Sequence, residues 1–377
     1  MTSPTDPRET PIVWLMMGHK AGDNSQVLAM AEALEWPFEI KRFVYQKYEI
    51  IPNFTFGPTL KGIVPEKSSR LEPPWPDLIL SAGRRNEPIC RWIQNRAKPE
   101  KHVRMVHIGR PWARIERFDL IVTTPQYRLP DKPNVLHNKT PLHRITDERL
   151  AEAAAEWAPR FAELARPYVA VVIGGSSGPY GYDQEAAARL GRMAGERARA
   201  LGGSVLATTS ARTPAATHDT FQRALEVPNH LFRWRADAPE NPYFGMLGLA
   251  DEIIVTGDSM SMLTEACATG KPVHIFDIGV GKKAMRPETA AAARASEGPD
   301  RPEWAHIQAF FYRLMMNHGP QRLSRDIRLV HKLLVENGHA VWLGDPFPDD
   351  RPPPPIDSVP LAVARIKALF EQPAPRC

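Results

Sequence analysis

Short apolar segments alternate with segments of helical spacing along most of this chain, and the alternation constrains its fold more than any other feature of the sequence. Residues 12–17 form an apolar run, 18–26 a glycine-containing loop, and 27–34 have the spacing of an amphipathic helix. The pattern begins again at 77–83 and at 118–124. Strands that are apolar on both faces and separated by helices predict a parallel sheet covered on both sides, and hence an α/β fold.

The strand and helix pattern starts a second time after Pro167. An apolar run at 168–173 leads into the glycine-rich loop 174–178. Further strands are predicted at 204–208, 230–234, 251–256 and 272–277, and helices near 184–201, 215–225, 259–269 and 360–370. Another helix is predicted near 146–165, just before Pro167. A chain of 377 residues has room for two domains. We predict Rossmann-like domains over 1–166 and 167–350, and a proline-rich linker with a C-terminal helix within 351–377.

Composition indicates a soluble globular chain, with 43% hydrophobic and 24% charged residues. The longest apolar runs are too short to span a membrane, and the polar N-terminus lacks the features of a signal peptide. Cys90, Cys267 and Cys377 are widely spaced and form no zinc or redox motif. We therefore predict a cytoplasmic protein.

Positive charge is concentrated between residues 84 and 114. Nine Lys or Arg and two Glu give this stretch a net charge of +7 (nine minus two), compared with +5 for the whole chain. The stretch predicts a solvated surface, a phosphorylated substrate, or an anionic membrane surface to which the protein binds peripherally on the cytoplasmic side. Nucleic acid is not predicted as a partner, because no nucleic-acid recognition motif accompanies the charge.

The segment 257–272 carries the most informative pattern. A glycine-containing turn after a strand presents a helix N-terminus, whose N–H groups suit a phosphate. Glu265 follows Ser261 by four residues, so both lie on one helix face. This spacing predicts a diphosphate near Ser259 and Ser261 and a ribose on Glu265. The alternative is an ordinary N-capped helix with a surface glutamate.

Four motifs give the chain a family resemblance. They are GHKAGDNSQ from residue 18, TTSART at 208–213, ENPYFGMLGLAD at 240–251 and GDSMSMLTEA at 257–266. Together they resemble the Elm-type family, which takes its name from a plant mitochondrial-fission protein and whose bacterial members are classed as glycosyltransferases. The last motif is similar to the donor-binding element of GT-B glycosyltransferases. The resemblance implies a GT-B fold of two Rossmann-like domains facing a cleft, with the C-terminal helix crossing back to the first domain.

The resemblance also gives roles to residues of the second domain. The loop residues Gly174, Gly175, Ser176 and Ser177 would approach the phosphate or sugar of a nucleotide-sugar. Arg212 would clamp the diphosphate, and Tyr243 would lie near the base. Asp258, Ser259, Ser261 and Glu265 complete the predicted donor site. A surface arginine and a packed core tyrosine are the alternatives for Arg212 and Tyr243.

The first domain would then bind the acceptor. Asp23 is the candidate general base, with His19 as the alternative, because both follow a strand at the edge where α/β sheets bind ligands. Asp23 could instead be the N-cap of the following helix. Arg84, Arg85 and Arg110 follow other strands and would meet an anionic acceptor or the donor phosphate.

Missing motifs narrow the chemistry. The sequence has no Asp-x-Asp pair, no Gly-x-Gly-x-x-Gly after a strand and no phosphate-binding P-loop. We therefore predict no metal site and no cofactor beyond the nucleotide-sugar substrate. The predicted activity is transfer of a sugar, from a donor that is UDP-linked by analogy, to a cell-envelope glycan or lipid. The alternatives are a nucleotide-sugar epimerase and a non-catalytic scaffold that recruits partners to membranes.

Overall fold

The computed structural model describes residues 10–46, 57–297, 325–347 and 356–371. The chain divides into two compact units, one formed by residues 1–144 together with 357–377 and the other by residues 145–356. The predicted linker prolines at 352–355 lie outside the described residues. Two α/β units, with the C-terminal helix in the first, confirm the predicted α/β fold.

The first unit contains a six-stranded parallel sheet in the order β2-β1-β3-β4-β5-β6. Its strands are β1 (Val13–Met17), β2 (Phe38–Arg42), β3 (Leu78–Ala82), β4 (Arg104–Ile108), β5 (Leu120–Thr123) and β6 (Val135–His137). Its helices are α1 (Ala21–Leu34), α2 (Glu87–Ala97) and α10 (Val359–Glu371). The sequence pattern predicted only β1, β3 and β5, because β2 and β6 are partly exposed edge strands and β4 begins within the basic stretch.

Side chains of β1 alternate between two cores, as the period of a strand requires. Leu15 packs in the cluster that holds α1 and α10, whereas Trp14 and Met16 pack in the cluster that holds α2. A strand covered on both faces has no solvent-facing positions, and this explains its continuous apolar run.

Helix α1 begins at Ala21, six residues earlier than the pattern predicted. Residues 23–26 are polar, and residues 21–26 are exposed or half-buried, because the start of this helix lies at the edge of the sheet, beyond the apolar core. The side chain of Asn24 holds the preceding loop. Its Oδ1 accepts from the N–H of Gly18 and its Nδ2 donates to the Gly18 carbonyl, both at 2.9 Å. Asp23 therefore lies inside the first turn, and the predicted N-cap alternative for it is wrong.

The second unit contains a parallel sheet in the order β12-β11-β10-β7-β8-β9. Its strands are β7 (Tyr168–Val172), β8 (Ser204–Thr208), β9 (Asn229–Phe232), β10 (Glu252–Thr256), β11 (Val273–Phe276) and β12 (Val341–Trp342). Its helices are α3 (Asp147–Phe161), α4 (Gln184–Leu201), α5 (His218–Leu225), α6 (Tyr243–Leu249), α7 (Met260–Cys267), α8 (Pro287–Glu297) and α9 (Arg328–Glu336).

The boundary between the units lies between residues 144 and 145, whereas the sequence placed it between 166 and 167. Helix α3 accounts for the difference, because its apolar face packs in the second unit. Trp157 and Phe161 share a buried cluster with Met246 of α6. The order of elements along the chain therefore assigned α3 to the wrong unit. Within the described residues, no helix is long and apolar enough to cross a membrane.

Candidate functional site

Three loops of the second unit meet at the carboxyl edge of its sheet. They follow β7, β8 and β10, and β7 lies between the other two strands. Because carboxyl ends of parallel strands share one edge, residues far apart in the sequence become neighbours there. The structure thus brings together the predicted loop 174–178, Arg212 and the turn before α7.

Close approach of backbones explains the two glycines that begin the loop after β7. The Gly174 N–H donates to Thr256 Oγ1 at 2.7 Å, and the Gly175 N–H donates to Asp258 Oδ2 at 3.0 Å. A Cβ on Gly174 would overlap the Asp258 carboxylate, and one on Gly175 would overlap the Arg212 carbonyl. Any larger residue would push the loop off its neighbours. The glycines are therefore packing requirements of the site.

Asp258 holds Arg212 in place. Arg212 Nη2 lies 2.7 Å from Asp258 Oδ2, and the Asp258 side chain is fully buried whereas that of Arg212 is 43% exposed. Burial raises the pKa of Asp258, against the opposing effect of Arg212. The buried Asp258 carboxylate therefore positions Arg212, and its predicted contact with a nucleotide-sugar stays a prediction.

Helix α7 points its N-terminus at the same edge. Ser259 occupies the N-cap position without a side-chain capping bond, and Ser259 and Ser261 are both half-buried. The preceding turn is held by His331 of α9, whose Nε2 donates to the Gly257 carbonyl at 2.7 Å. Burial lowers the pKa of His331 to about 4, so this histidine is neutral at physiological pH. The first amides of α7 are thus held at the sheet edge by a buried neutral donor.

Glu265 lies behind these amides and is only 5% exposed, so the alternative of a surface glutamate is wrong. The hydroxyl of Tyr243 donates to Glu265 Oε2 at 2.6 Å. Burial, and then the charge of Glu265, raise the pKa of Tyr243 well above its usual value. The structure therefore joins two predicted site residues as a hydroxyl and carboxylate pair, and fixes the orientation of the Glu265 carboxylate.

The first unit has a pocket at the carboxyl edge of its own sheet. It contains four of the five residues predicted for acceptor binding and catalysis. The lining residues are Gly18, His19, Lys20, Asp23, Tyr45, Ala82, Gly83, Arg84, Arg85 and Asn86. Arg110 is not in this lining and instead stacks on Tyr127, with Cζ 5.8 Å from the ring centroid.

Asp23 approaches the turn after β3. A Cβ placed on Gly83 would be 2.8 Å from Asp23 Oδ2, and Gly83 has a positive φ of +75°. Both facts require glycine at this position. His19 lies on the other side of the pocket, where its Nδ1 is 3.4 Å from Arg85 Nη1. The two candidate bases therefore belong to one pocket, and their roles remain predictions.

Three polar residues that line this pocket, Lys20, Tyr45 and Asn86, were not predicted from the sequence as site residues. Asn86 is buried and donates from Nδ2 to the Met16 carbonyl at 2.7 Å, and its Oδ1 accepts from the hydroxyl of Tyr45. Asn86 follows a predicted strand and Gly83 and directly precedes a helix, and this position at the carboxyl edge of the sheet could have indicated it as a site residue. Nothing in the sequence pointed to Tyr45. Lys20 belongs to the GHKAGDNSQ motif but was not predicted to be a site residue.

The basic stretch does not form one face. Arg84, Arg85 and Arg110 follow β3 and β4 at the carboxyl edge, whereas Lys101 and Arg104 lie at the amino end of β4. Lys101 Nζ is 2.8 Å from Asp77 Oδ1. Because the residues lie at opposite edges of the sheet, they cannot all meet one membrane surface together.

Cations and N–H donors dominate both sheet edges. Throughout the described ranges, no three His, Cys, Asp or Glu side chains are grouped as a metal site would need. At the carboxyl edge of the second-unit sheet, Arg212 and the first amides of α7 are the positively polarised groups described above.

Comparison with known proteins gives a family match. The model of the family described as Mitochondrial fission ELM1 matches residues 21–293. Mitochondrial fission protein ELM1 of Arabidopsis thaliana is 30% identical over 238 residues, 57% of this chain and 55% of the plant protein, so the chain spans about half the length of that relative. An uncharacterized protein of Rickettsia prowazekii (strain Madrid E) is 22% identical over 300 residues, 70% of this chain and 82% of that protein.

Among solved structures, a UDP-glucosyltransferase from Polygonum tinctorium aligns with a TM-score of 0.46 at 10% identity, covering 97% of this chain and 99% of that one. That likeness is too distant to indicate a function.

Proposed function

The chain belongs to the Mitochondrial fission ELM1 family, as its four motifs predicted, and we propose that it is a glycosyltransferase that takes a sugar from a nucleotide-sugar. The second unit binds the donor and the first unit binds the acceptor. The observation that carries this proposal is the meeting of Arg212 and the α7 N-terminus at one sheet edge, beside the Gly174 and Gly175 loop.

Two kinds of donor at this edge fit a diphosphate. The first amides of α7 offer N–H groups and the positive end of a helix dipole. Arg212 offers a planar fork that suits phosphate oxygens, and a buried carboxylate holds it in place. Both would stabilise the negative charge that develops on a departing diphosphate, because fixed donors need not reorganise during the reaction.

The pair of Tyr243 and Glu265 supports the ribose assignment. A carboxylate can accept hydrogen bonds from several donors, and the Tyr243 hydroxyl donates to Glu265 Oε2 at 2.6 Å. The pair lies on α7 and α6, directly behind the proposed phosphate position. In this arrangement Glu265 accepts from a ribose hydroxyl while Tyr243 keeps the carboxylate oriented.

The pocket of the first unit supports a general-base role for Asp23. In the proposed step, Asp23 takes the proton of an acceptor hydroxyl and the acceptor oxygen forms a bond to the anomeric carbon. The bond between that carbon and the diphosphate breaks, and the nucleoside diphosphate leaves with the electron pair. Direct attack of this kind inverts the anomeric configuration. The proposed donor is UDP-linked and the proposed acceptor is a cell-envelope glycan or lipid.

Nucleotide-sugar binding is the first test. The full chain is screened by thermal denaturation against UDP-, GDP- and ADP-linked sugars, and calorimetry measures the affinity of each stabilising compound. A ligand at 100 times its dissociation constant stabilises a protein by about 2.7 kcal/mol, which is readily measured. Binding, followed by transfer that persists in EDTA, is the expected result.

Other outcomes separate the alternatives. Loss of activity in EDTA with recovery on adding Mn²⁺ or Mg²⁺ would show a metal-dependent reaction. Turnover of the donor without any acceptor would identify an epimerase. A folded chain that binds no nucleotide-sugar would contradict the proposal and favour the scaffold.

A further inference from the structure

The pocket of the first unit is strongly cationic. Lys20, Arg84 and Arg85 line it beside His19, and among the described lining residues Asp23 is the one acidic side chain. Three permanent positive charges thus face one carboxylate. Within the described part of the chain Arg84 has no ion pair with a carboxylate, so its charge is not neutralised at close range.

Aromatic rings hold both arginines. The Arg84 Cζ lies 4.5 Å from the centroid of the Trp112 ring, and the Arg85 Cζ lies 5.5 Å from that of the Tyr45 ring. Each aromatic residue is itself held by a hydrogen bond, Trp112 through its backbone and Tyr45 through its hydroxyl. The backbone N–H of Trp112 donates to Glu87 Oε1 at 2.7 Å, and the hydroxyl of Tyr45 donates to the buried Asn86.

An aromatic ring within about 6 Å of a guanidinium attracts its charge. Rings that hold Arg84 and Arg85 restrict the motion of both side chains, which lowers the entropy lost when an oxyanion binds. Lys20 adds a mobile point charge at the start of α1. Planar forks combined with an ammonium group match the several oxygens of a phosphate better than a neutral sugar.

We propose that this pocket binds the phosphate of a phosphomonoester-bearing acceptor through Arg84, Arg85 and Lys20, with an acceptor hydroxyl on Asp23. The acceptor role rests on the proposed function, whereas the phosphate site does not. The carboxylate of Asp23 repels a second anion and accepts from a hydroxyl, so the pocket selects a molecule that carries both groups.

Calorimetry with sn-glycerol 3-phosphate tests the site, because this probe carries one phosphate and free hydroxyls. Phosphatidylcholine vesicles with and without phosphatidic acid form a second arm, which distinguishes a lipid source of the phosphate from a soluble one. The double variant R84Q/R85Q should bind whichever of the two probes the wild type binds at least about tenfold more weakly. Lys20→Gln should weaken binding by a smaller factor.

Arg114→Gln is the matched control, since it removes one positive charge from an exposed arginine of the same unit outside the pocket. This variant should bind as the wild type does, and all variants should melt cooperatively. Binding of neither probe by the wild type would overturn the proposal. The proposal would also be overturned if R84Q/R85Q and Lys20→Gln both bound the probe as tightly as the wild type. It would be overturned as well if Arg114→Gln lost as much affinity for the probe as R84Q/R85Q.

Arg212→Ala separates this proposal from the donor site. That variant should keep its affinity for glycerol phosphate or the phosphatidic acid vesicles, while R84Q/R85Q should keep its affinity for nucleoside diphosphate. If the wild type binds the phosphate probe but no nucleotide, the proposed function fails and the phosphate site stands.

Discussion

The guanidinium of Arg212 is anchored by the buried carboxylate of Asp258, with 2.7 Å between Nη2 and Oδ2. The same carboxylate oxygen accepts the N–H of Gly175 at 3.0 Å. One buried group therefore sets the relative positions of the loops after β7, β8 and β10. The exposed side of Arg212 remains directed at the sheet edge where we place the donor diphosphate.

Replacing Arg212 with alanine should weaken the binding of a nucleoside diphosphate. A charged hydrogen bond contributes roughly 1.5 to 3 kcal/mol, so the affinity should fall by about 10-fold to 100-fold in calorimetry. Arg223→Ala is the control, because Arg223 is an exposed arginine of the same unit on α5. Equal affinities for Arg212→Ala and the wild type would remove Arg212 from the site.

Asp258→Asn should also weaken nucleotide binding, through the loss of Arg212 positioning. Because Asp258 acts through Arg212, adding Asp258→Asn to Arg212→Ala should cost little further affinity. Calorimetry on both single variants and the double variant gives the coupling energy. Additive losses would show that Asp258 contacts the ligand independently, contrary to its complete burial.

The ribose assignment predicts that the wild type binds a deoxynucleoside diphosphate more weakly than the corresponding nucleoside diphosphate. Glu265→Gln should bind the two compounds with similar affinity. A missing hydroxyl removes one charged hydrogen bond to the wild-type carboxylate, which costs roughly 1 to 3 kcal/mol of binding free energy. The measurement is the ratio of the two dissociation constants for each protein. Tyr243→Phe, which removes the neighbouring hydroxyl, should retain part of the discrimination. The same ratio in the wild type and Glu265→Gln would contradict the assignment.

Asp23→Asn should leave donor affinity unchanged and lower the rate of sugar transfer by 10² to 10⁴, the usual contribution of a general base. The amide keeps the shape of the side chain and cannot take a proton. Asp23 makes no capping bond in α1, so helix stability should be unaffected. Asp147→Asn changes an exposed aspartate in the first turn of α3 and serves as the control. Wild-type turnover in Asp23→Asn would leave His19 as the candidate base.

His331 predicts an acid-sensitive fold. Its pKa in the folded chain is about 4, below the ordinary value of 6.5, because burial disfavours the charged ring. The unfolded chain therefore binds more protons in this interval, and the free energy of unfolding falls as the pH decreases from 6.5 to 4. The contribution of this group is about 1.4 kcal/mol per pH unit.

His331→Gln keeps a donor for the Gly257 carbonyl and does not titrate. Urea denaturation across this range should therefore show a shallower pH dependence for the variant. His107, whose pKa burial also lowers to about 4, should maintain part of the slope in both proteins. Identical slopes would show that His331 does not titrate as described.

Sequence patterns predicted most of the central strands whose side chains are buried on both faces, although the buried strand β4 was missed because it lies within the basic stretch. β7, β8 and α4 were predicted within a residue of their observed ends. A continuous apolar run indicates a buried strand, and a regular apolar stripe indicates a helix with one buried face. The edge strands β2 and β6 lack that run and were missed. The polar start of α1 resembled a loop for the same reason, since its side chains face the ligand edge and not the core.

The sequence by itself determined the two α/β units, the family and the loops in which the candidate site residues are concentrated, because local periodicity and motifs carry that information. Only the tertiary structure decided which of those groups meet. It paired Arg212 with Asp258 and Tyr243 with Glu265, and it brought Tyr45 and Asn86 into the pocket of Asp23. The order of the parallel strands in each sheet decides which loops are adjacent. That order depends on packing between distant segments, so local sequence patterns do not predict it.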